Sequence, residues 1–357
     1  MKKLVFAMLL LTVCCCGCRI EEKALRGQIG NSTPLIVTDG NDVFYVTSTV
    51  TPYQTTFSKL DNSLSEIEVV TLPGYRVYDV ISGINGEMIV AANVSGSLSS
   101  MDFVAAVDVT VDPVSVIWEV PVHSGNSNPI SISALAINDA GQVFFGVSRY
   151  DDDYRQPEFL VGALDPFGVL WENFLSNAHV VTKIVSDGDD AYFFTNFMAS
   201  PGMQGPIRKI DPNGSILWEQ SLSGHFGDVT LAKNLVVVSS GLHEVWVKAF
   251  FQDSGIMAWE YNIVTLSMPV ATNIAPIASD VFENLYISYF DFNTKKEKVV
   301  VLDCEGGFLI DWEQIGGVTN EPKSAIYNKG RVYVAGVNML VPHNYEGFIQ
   351  SFGWTSR

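Results

Sequence analysis

A Trp-Glu pair recurs along the chain at Trp118-Glu119, Trp171-Glu172, Trp218-Glu219, Trp259-Glu260 and Trp312-Glu313, with spacings of 53, 47, 41 and 53 residues. Each pair is led by an Asp-headed turn: DPVSVIWE from Asp112, DPFGVLWE from Asp165, DPNGSILWE from Asp211, DSGIMAWE from Asp253 and DCEGGFLIDWE from Asp303. A degenerate copy, DNSLSEIE from Asp61, places Ile67-Glu68 where Trp-Glu would fall. A second ladder runs in register with the first. Short β-rich runs occur at 43–48, 88–93, 143–148, 191–196, 235–240, 285–290 and 332–337. Their mean step is ~48 residues, a period of the kind that marks propeller blades. Most are entered by turns such as DGND (39–42), NDAGQ (138–142), DGDD (187–190) or NKG (328–330), whose Asp, Asn and Gly accept hairpin geometry.

Each unit reads as four strands: A, a tight turn, B, a variable loop, C, the Asp-turn, then D carrying Trp-Glu. One four-stranded sheet cannot bury both of its faces, whereas radial stacking of several buries them and protects their edges. The expected fold is therefore all-β, a β-propeller of four-stranded antiparallel blades. Seven blades fit best, with six and eight left open. The last unit ends at GFIQSF (347–352), which reads as a C strand, so residues of about 22–30 are expected to supply its D strand and close the ring.

The recurrent residues read first as structure. An Asp at a turn accepts backbone N–H groups two residues on, and a following Gly supplies positive φ. One Trp per unit is a large apolar wedge between blades, and the adjoining Glu points to the opposite side of its strand. Cys304 sits in an Asp-turn and reads as a reduced, partly buried thiol. This repeat resembles the PQQ-like (quinoprotein) propeller repeat, whose mark is an Asp-x-x-Gly turn leading to a Trp in the last strand; the resemblance covers about residues 28–354.

Residues 1–18, MKKLVFAMLLLTVCCCGC, join Lys2 and Lys3 to an apolar run from Leu4 to Val13. A run of ten residues falls far short of the ~20 that span a bilayer, so the segment reads as a signal peptide. Four of the five cysteines (Cys14, Cys15, Cys16 and Cys18) crowd its end, so no disulfide framework is expected. Cys18 after the small Gly17 resembles the lipobox of bacterial lipoproteins, although Cys15 stands at the −3 position where that family favours Leu. The expected organisation is a signal peptide over 1–17, a lipid-anchored N-terminal segment over 18–27 that shares in ring closure, and one propeller over 28–357. Arg19 after the lipidated cysteine, rather than Asp, implies export to the outer membrane by the family's sorting rule. A lipobox ahead of such a ring is similar to BamB-like outer-membrane assembly lipoproteins, although these usually have eight blades.

Lys plus Arg number 21 against 39 Asp plus Glu, a net charge of −18 and a pI of about 4.5. Such a surface repels phosphate backbones and argues against nucleic-acid partners. Catalytic patterns are sparse. His123, His179, His225, His243 and His343 show no i, i+4 metal-ligand pair, and no G-x-S-x-G elbow or phosphate loop occurs. Asp151-Asp152-Asp153 lacks the Gly and terminal Glu of a calcium loop. The quinone-dependent dehydrogenases of the resembled repeat often hold their cofactor beneath a vicinal disulfide; here the only adjacent cysteines lie in the signal. No cofactor, metal or catalytic residue is expected.

Function is expected on the variable B–C loops, which share one face with the D–A connections and offer apolar and aromatic tips. The candidate interaction residues are Met101, Phe103, Tyr150, Tyr154, Phe197, Met198, Met203, Met339, Leu340 and Tyr345. The first reading is a non-enzymatic scaffold that docks another envelope protein, in outer-membrane protein assembly. The membrane is met only through the N-terminal lipid, on the periplasmic side or the cell surface. The alternative is a surface-exposed sugar- or ligand-binding adhesion module, favoured by aromatic side chains in the central funnel; a propeller enzyme comes third.

Overall fold

The structure, a computed structural model, describes residues 19–20, 23–28, 34–50, 52–61, 64–94, 102–122, 130–150, 157–175, 179–197, 204–222, 226–241, 244–265, 276–291, 296–313, 320–341 and 344–355. They form seven antiparallel sheets, which we number as blades 1 to 7 in chain order: 35–73, 75–121, 130–175, 179–221, 226–265, 277–313 and 320–355. Blades 1 to 6 each contain four consecutive strands, paired A-B-C-D in sequence order. Blade 7 takes its first three strands from the C-terminus and its outer strand from the N-terminus. Lys23–Gln28 pairs antiparallel with Asn344–Thr355, from Lys23↔Ser351 to Gln28↔Glu346, and Arg19–Ile20 continues along the same partner. The A strands touch one another in cyclic order, and that of blade 7 (Asn320–Asn328) returns to that of blade 1 (Leu35–Thr38). The ring is closed, with the A strands around its axis.

The core follows from the strand sequences. B strands such as VFFGVSRY (143–150) are apolar without alternation because both of their faces are covered. Successive side chains go to different partners: Phe144 packs with blade 4 residues Val181 and Phe193, while Phe145 packs with blade 2 residues Ile89 and Val104. Among the described residues the buried apolar side chains fall into seven clusters, one at each blade boundary.

The repeated tryptophans hold the perimeter. Trp171 Nε1 donates to the Pro212 carbonyl at 2.7 Å, Trp218 Nε1 to Gln252 O at 3.0 Å, and Trp259 Nε1 to Cys304 O at 2.9 Å. In every case the acceptor lies in the C–D turn of the next blade. The turn glycine lies against the same indole, so a Cβ on Gly214, Gly255 or Gly306 would come within 2.7–2.9 Å of the ring. Glycine is thus needed twice over, for its positive φ and for the close approach. The turn aspartates accept local backbone N–H groups in four copies: Asp165, Asp211 and Asp303 from two residues on, as expected (2.8, 2.9 and 3.0 Å), and Asp61 from Ser65, four residues on, at 2.9 Å.

Two copies depart from this pattern. In blade 2 it is Asp108 that binds the local Thr110 N–H, at 2.8 Å, while Asp112 reaches back toward Thr71 of blade 1. The Asp253 turn is closed by backbone instead, with Gly255 N–H donating to Phe251 O at 2.8 Å. Whereas Glu119 and Glu172 face Ala105 and Gly162, in blades 4 and 5 the Glu of the pair lies opposite a basic residue of strand C, Arg208↔Glu219 with an ion pair at 2.6 Å and Lys248↔Glu260 at 3.6 Å. This is the cross-strand pairing that stabilises a sheet edge.

Gly255→Ala therefore combines a strained φ of +68° with a methyl group pressed against Trp218. It is expected to cost about 3 kcal/mol in urea unfolding, against about 1 kcal/mol for Gly188→Ala, whose φ is +58° but whose Cβ would meet open space. Equal losses would show that the indole contact carries no weight.

Candidate functional site

The A strands wall a central cavity of about 260 Å³, lined from blades 1, 2, 3, 4, 5 and 7. Its shape comes from a shared irregularity. The A–B pairing slips by one residue between Val77 and Asp79, Ile132 and Ala134, Val181 and Lys183, Phe226 and Asp228, and Pro322 and Ser324. Each slip is a bulge that frees one extra residue, and four of these, Tyr78, Ser133, Thr182 and Gly227, line the cavity. The signal is present in the sequence. Alternation fails at V-Y-D-V, I-S-A-L, V-T-K-I, F-G-D-V and P-K-S-A, where two residues separate the apolar positions that a regular strand would separate by one. The repeat pattern draws attention to the variable loops and does not single out this site.

The chemistry of the cavity is dominated by Asp79, Lys183 and Asp228. Each A strand is the inner edge of its blade, so part of its backbone has no partner within its own sheet. Asp79 accepts the Leu135 N–H of blade 3 at 2.7 Å and that of Val80 at 2.9 Å. Asp228 accepts the Ile277 N–H of blade 6 at 3.3 Å. At the B–C end of blade 2, Asp102 accepts the Ile132 N–H of blade 3 and the Asn93 side-chain amide, both at 3.0 Å. Hydroxyls serve the carbonyls: Ser133 donates to Val181 O at 2.5 Å, Ser279 to Leu231 O at 2.8 Å, and Ser186 to Ile137 O.

Lys183 Nζ lies 3.9 Å from Asp228 Oδ1, and its side chain keeps 38% of its surface open toward the cavity. Burial pushes the carboxyls of Asp79 and Asp228 up, partly opposed by Lys183; Asp228 first, then Asp79, holds the ammonium of Lys183 above its ordinary value. Burial likewise pushes Asp102 up to about 6. These groups are anchored to backbone and to one another. Among the described residues, no three His, Cys, Asp or Glu side chains converge as a metal site.

The loop-face residues fall differently. Cys18, Met101, Tyr154, Met198 and Met203 lie outside the described residues. Phe103 is half-buried inside strand Asp102–Asp108, opposite Ala92 and Pro121, rather than on a loop tip. Tyr150 and Phe197 end their B strands, opposite Pro157 and His179. Met339 pairs with Tyr345 near the hairpin end of blade 7, within strands that reach Val341 and resume at Asn344; Leu340 lies in the same strand. By their spacing in the sequence all of these fall in the B–C loops. Pairing extends further because β-branched and aromatic residues favour the ladder wherever a partner strand continues. Cys304 is half-buried; burial and then Glu305 push its thiol up to about 11. Among the described residues no helix is long and apolar enough to cross a membrane.

No family model matches the chain, and no curated protein does. Among solved structures it is similar to BamB from Moraxella catarrhalis, with 14% sequence identity and a TM-score of 0.53 over 89% of this chain and 84% of that one. A protein of unknown function from Bacteroides caccae is matched with 15% identity and a TM-score of 0.46, over 83% of this chain and 94% of that one. The first likeness is one of fold.

Replacing Lys183 by Met leaves Asp79 and Asp228 without their shared cation. A fully buried pair broken in this way costs 3–5 kcal/mol; contact with cavity water reduces this to about 2 kcal/mol at pH 7. The sign with pH follows from the raised carboxyls. They take up protons on folding, so stability falls as pH rises through their folded pKa values. The deficit of K183M should accordingly shrink when urea unfolding is repeated at pH 5, and a pH-independent deficit would deny the electrostatic role. Native Cys304 should alkylate at pH 8 with iodoacetamide at least ~100-fold more slowly than the urea-unfolded chain, because so little of it is thiolate. Rapid native labelling would contradict the raised thiol.

Proposed function

We propose that this chain is a lipid-anchored, extracytoplasmic scaffold without enzymatic activity, which docks another protein of the bacterial envelope through its B–C and D–A loop face, in outer-membrane protein assembly. The observation that carries this reading is the use made of the channel charges. Asp79 and Asp228 bind the backbone N–H groups of neighbouring strands, so the most reactive cluster on the axis is engaged in holding the ring together. A rigid ring whose ionisable groups are spent on its own assembly is suited to presenting surfaces. The fold likeness to BamB supports an envelope role, and the apolar residues at the loop-face ends of the strands supply the contact chemistry.

A second reading, binding of a sugar or other small polar ligand, draws on Tyr78 and Phe226, which bring aromatic surface to the cavity. One experiment separates the two. The lipidated protein is crosslinked in cells, purified from detergent-solubilised envelopes, and its partners are identified by mass spectrometry. The scaffold reading expects stoichiometric capture of a barrel-assembly component, reduced at least ~10-fold when Tyr154, Phe197 and Met339 are replaced by charged residues. A partnerless protein that instead retains glycans on an array, and loses them in a Tyr78→Ala variant, would replace it by the second.

A further inference from the structure

The strand register fixes where the N-terminal segment enters the ring. In blade 7 Arg331, the first residue after the A–B turn, pairs with Gly353, and Arg19 pairs with Thr355 two residues further on. Arg19 thus stands at the end of the ring that carries the A–B and C–D turns, opposite the B–C loops. On the lipoprotein reading proposed above, the acylated Cys18 is its immediate neighbour, with Cα atoms ~3.8 Å apart. A lipid held on so short a leash brings the turn face, and no other, close to the bilayer.

That face carries large apolar side chains that its turns do not require. Phe167, at the C–D turn of blade 3, is 97% exposed; Val281 and Phe282, at the A–B turn of blade 6, are 76% and 72% exposed; Ile84 of blade 2 and Ile256 of blade 5 are also exposed. At Phe167 and Phe282 the turn uses only the backbone: each N–H donates to the Asp two residues before it, Asp165 or Asp280, at 2.8 Å. Any residue with an N–H would satisfy those bonds, so the aromatic rings are surplus to the fold. They project from blades spread around the ring, which suits contact with a plane better than with a groove. The neighbouring tips are mostly acidic, including Asp39, Glu87, Asp139, Asp189, Asp253 and Glu283, against Lys233 and Lys329. Such a face is repelled by anionic lipid.

We infer that the turn face rests on a zwitterionic membrane surface, with Phe167, Val281 and Phe282 inserted at the headgroup level as a second attachment beside the N-terminal lipid. The N-terminal lipid holds the ring at one point, and interfacial apolar side chains on the same face add buried apolar area and fix how the ring sits on the surface. The B–C loop face then points away from the membrane, toward soluble or membrane-protruding partners.

The test uses the full chain, expressed with its own signal and with its acyl mass confirmed by intact mass spectrometry. In a Cys304→Ser background, single cysteines replace Phe167, Phe282 or, as a loop-face control, Pro52, and each carries a nitrobenzoxadiazole label. On phosphatidylcholine vesicles the labels at 167 and 282 should shift to the blue and brighten roughly threefold, while that at 52 stays unchanged. An acylated protein whose labels at 167 and 282 remain aqueous, or brighten no more than that at 52, overturns the inference. If no acyl chain is found, the lipoprotein reading has failed. The same chain is then held to vesicles by a histidine tag replacing residues 1–18 and a nickel-chelating lipid. The same label pattern would still support the membrane-facing surface, and uniformly aqueous labels would dismiss it.

Discussion

Seven strands converge on the axis of this ring, each with one edge paired to its own blade and the other left without a partner in its own sheet. Buried backbone groups on those inner edges need partners, and at several boundaries the neighbouring blade supplies them. Asp79 and Asp102 serve the N–H groups of Leu135 and Ile132, Asp228 serves Ile277, and Ser133, Ser186 and Ser279 serve carbonyls across the adjoining boundaries. The rest of the interior follows from this. Carboxylates brought in to accept N–H bonds need a counter-charge, which Lys183 provides, and the bulges give those side chains room to face the axis. A burial cost that would be gratuitous in an ordinary core is here the consequence of closing a ring.

The perimeter solves a different problem. At the outer strands blades diverge, and apolar contact alone would leave wedge-shaped gaps. From blade 3 to blade 6 the tryptophans Trp171, Trp218 and Trp259 fill them and couple each of these blades to its successor by one hydrogen bond and one close glycine contact. Axis and perimeter thus use opposite chemistries, charged and hydroxyl groups inside and indole against glycine outside. Both act across blade boundaries, so the stability of each blade depends on its neighbours.

The two ends of the ring are unequal for the same topological reason. Tight turns with fixed Asp and Gly geometry occupy one end, where the N-terminal strand also enters; the other gathers the longer connections. A chain tethered at the first end presents the second, and this polarity gives a plain closed ring a direction.

The repeat made the architecture legible from the sequence: the Asp-turn, the glycine and the Trp-Glu pair recur because each blade must meet the next in the same way, so one local solution is written many times. The closing strand could be inferred for a related reason, since a C strand without a D strand leaves an open edge. Loop extents were less legible. Phe103, Tyr150 and Phe197 look like loop residues by spacing and lie in strands, because a ladder ends where its partner ends, and partners are chosen in three dimensions. The channel was hidden altogether. The failed alternation at V-Y-D-V or V-T-K-I is local and slight, and only ring closure turns Asp79, Lys183 and Asp228, distant along the chain, toward a common axis. Sequence determined the unit and its repetition, because those rest on neighbouring residues. Tertiary structure decided which charges meet and at which end of the ring the N-terminal strand enters, because those depend on how seven units close.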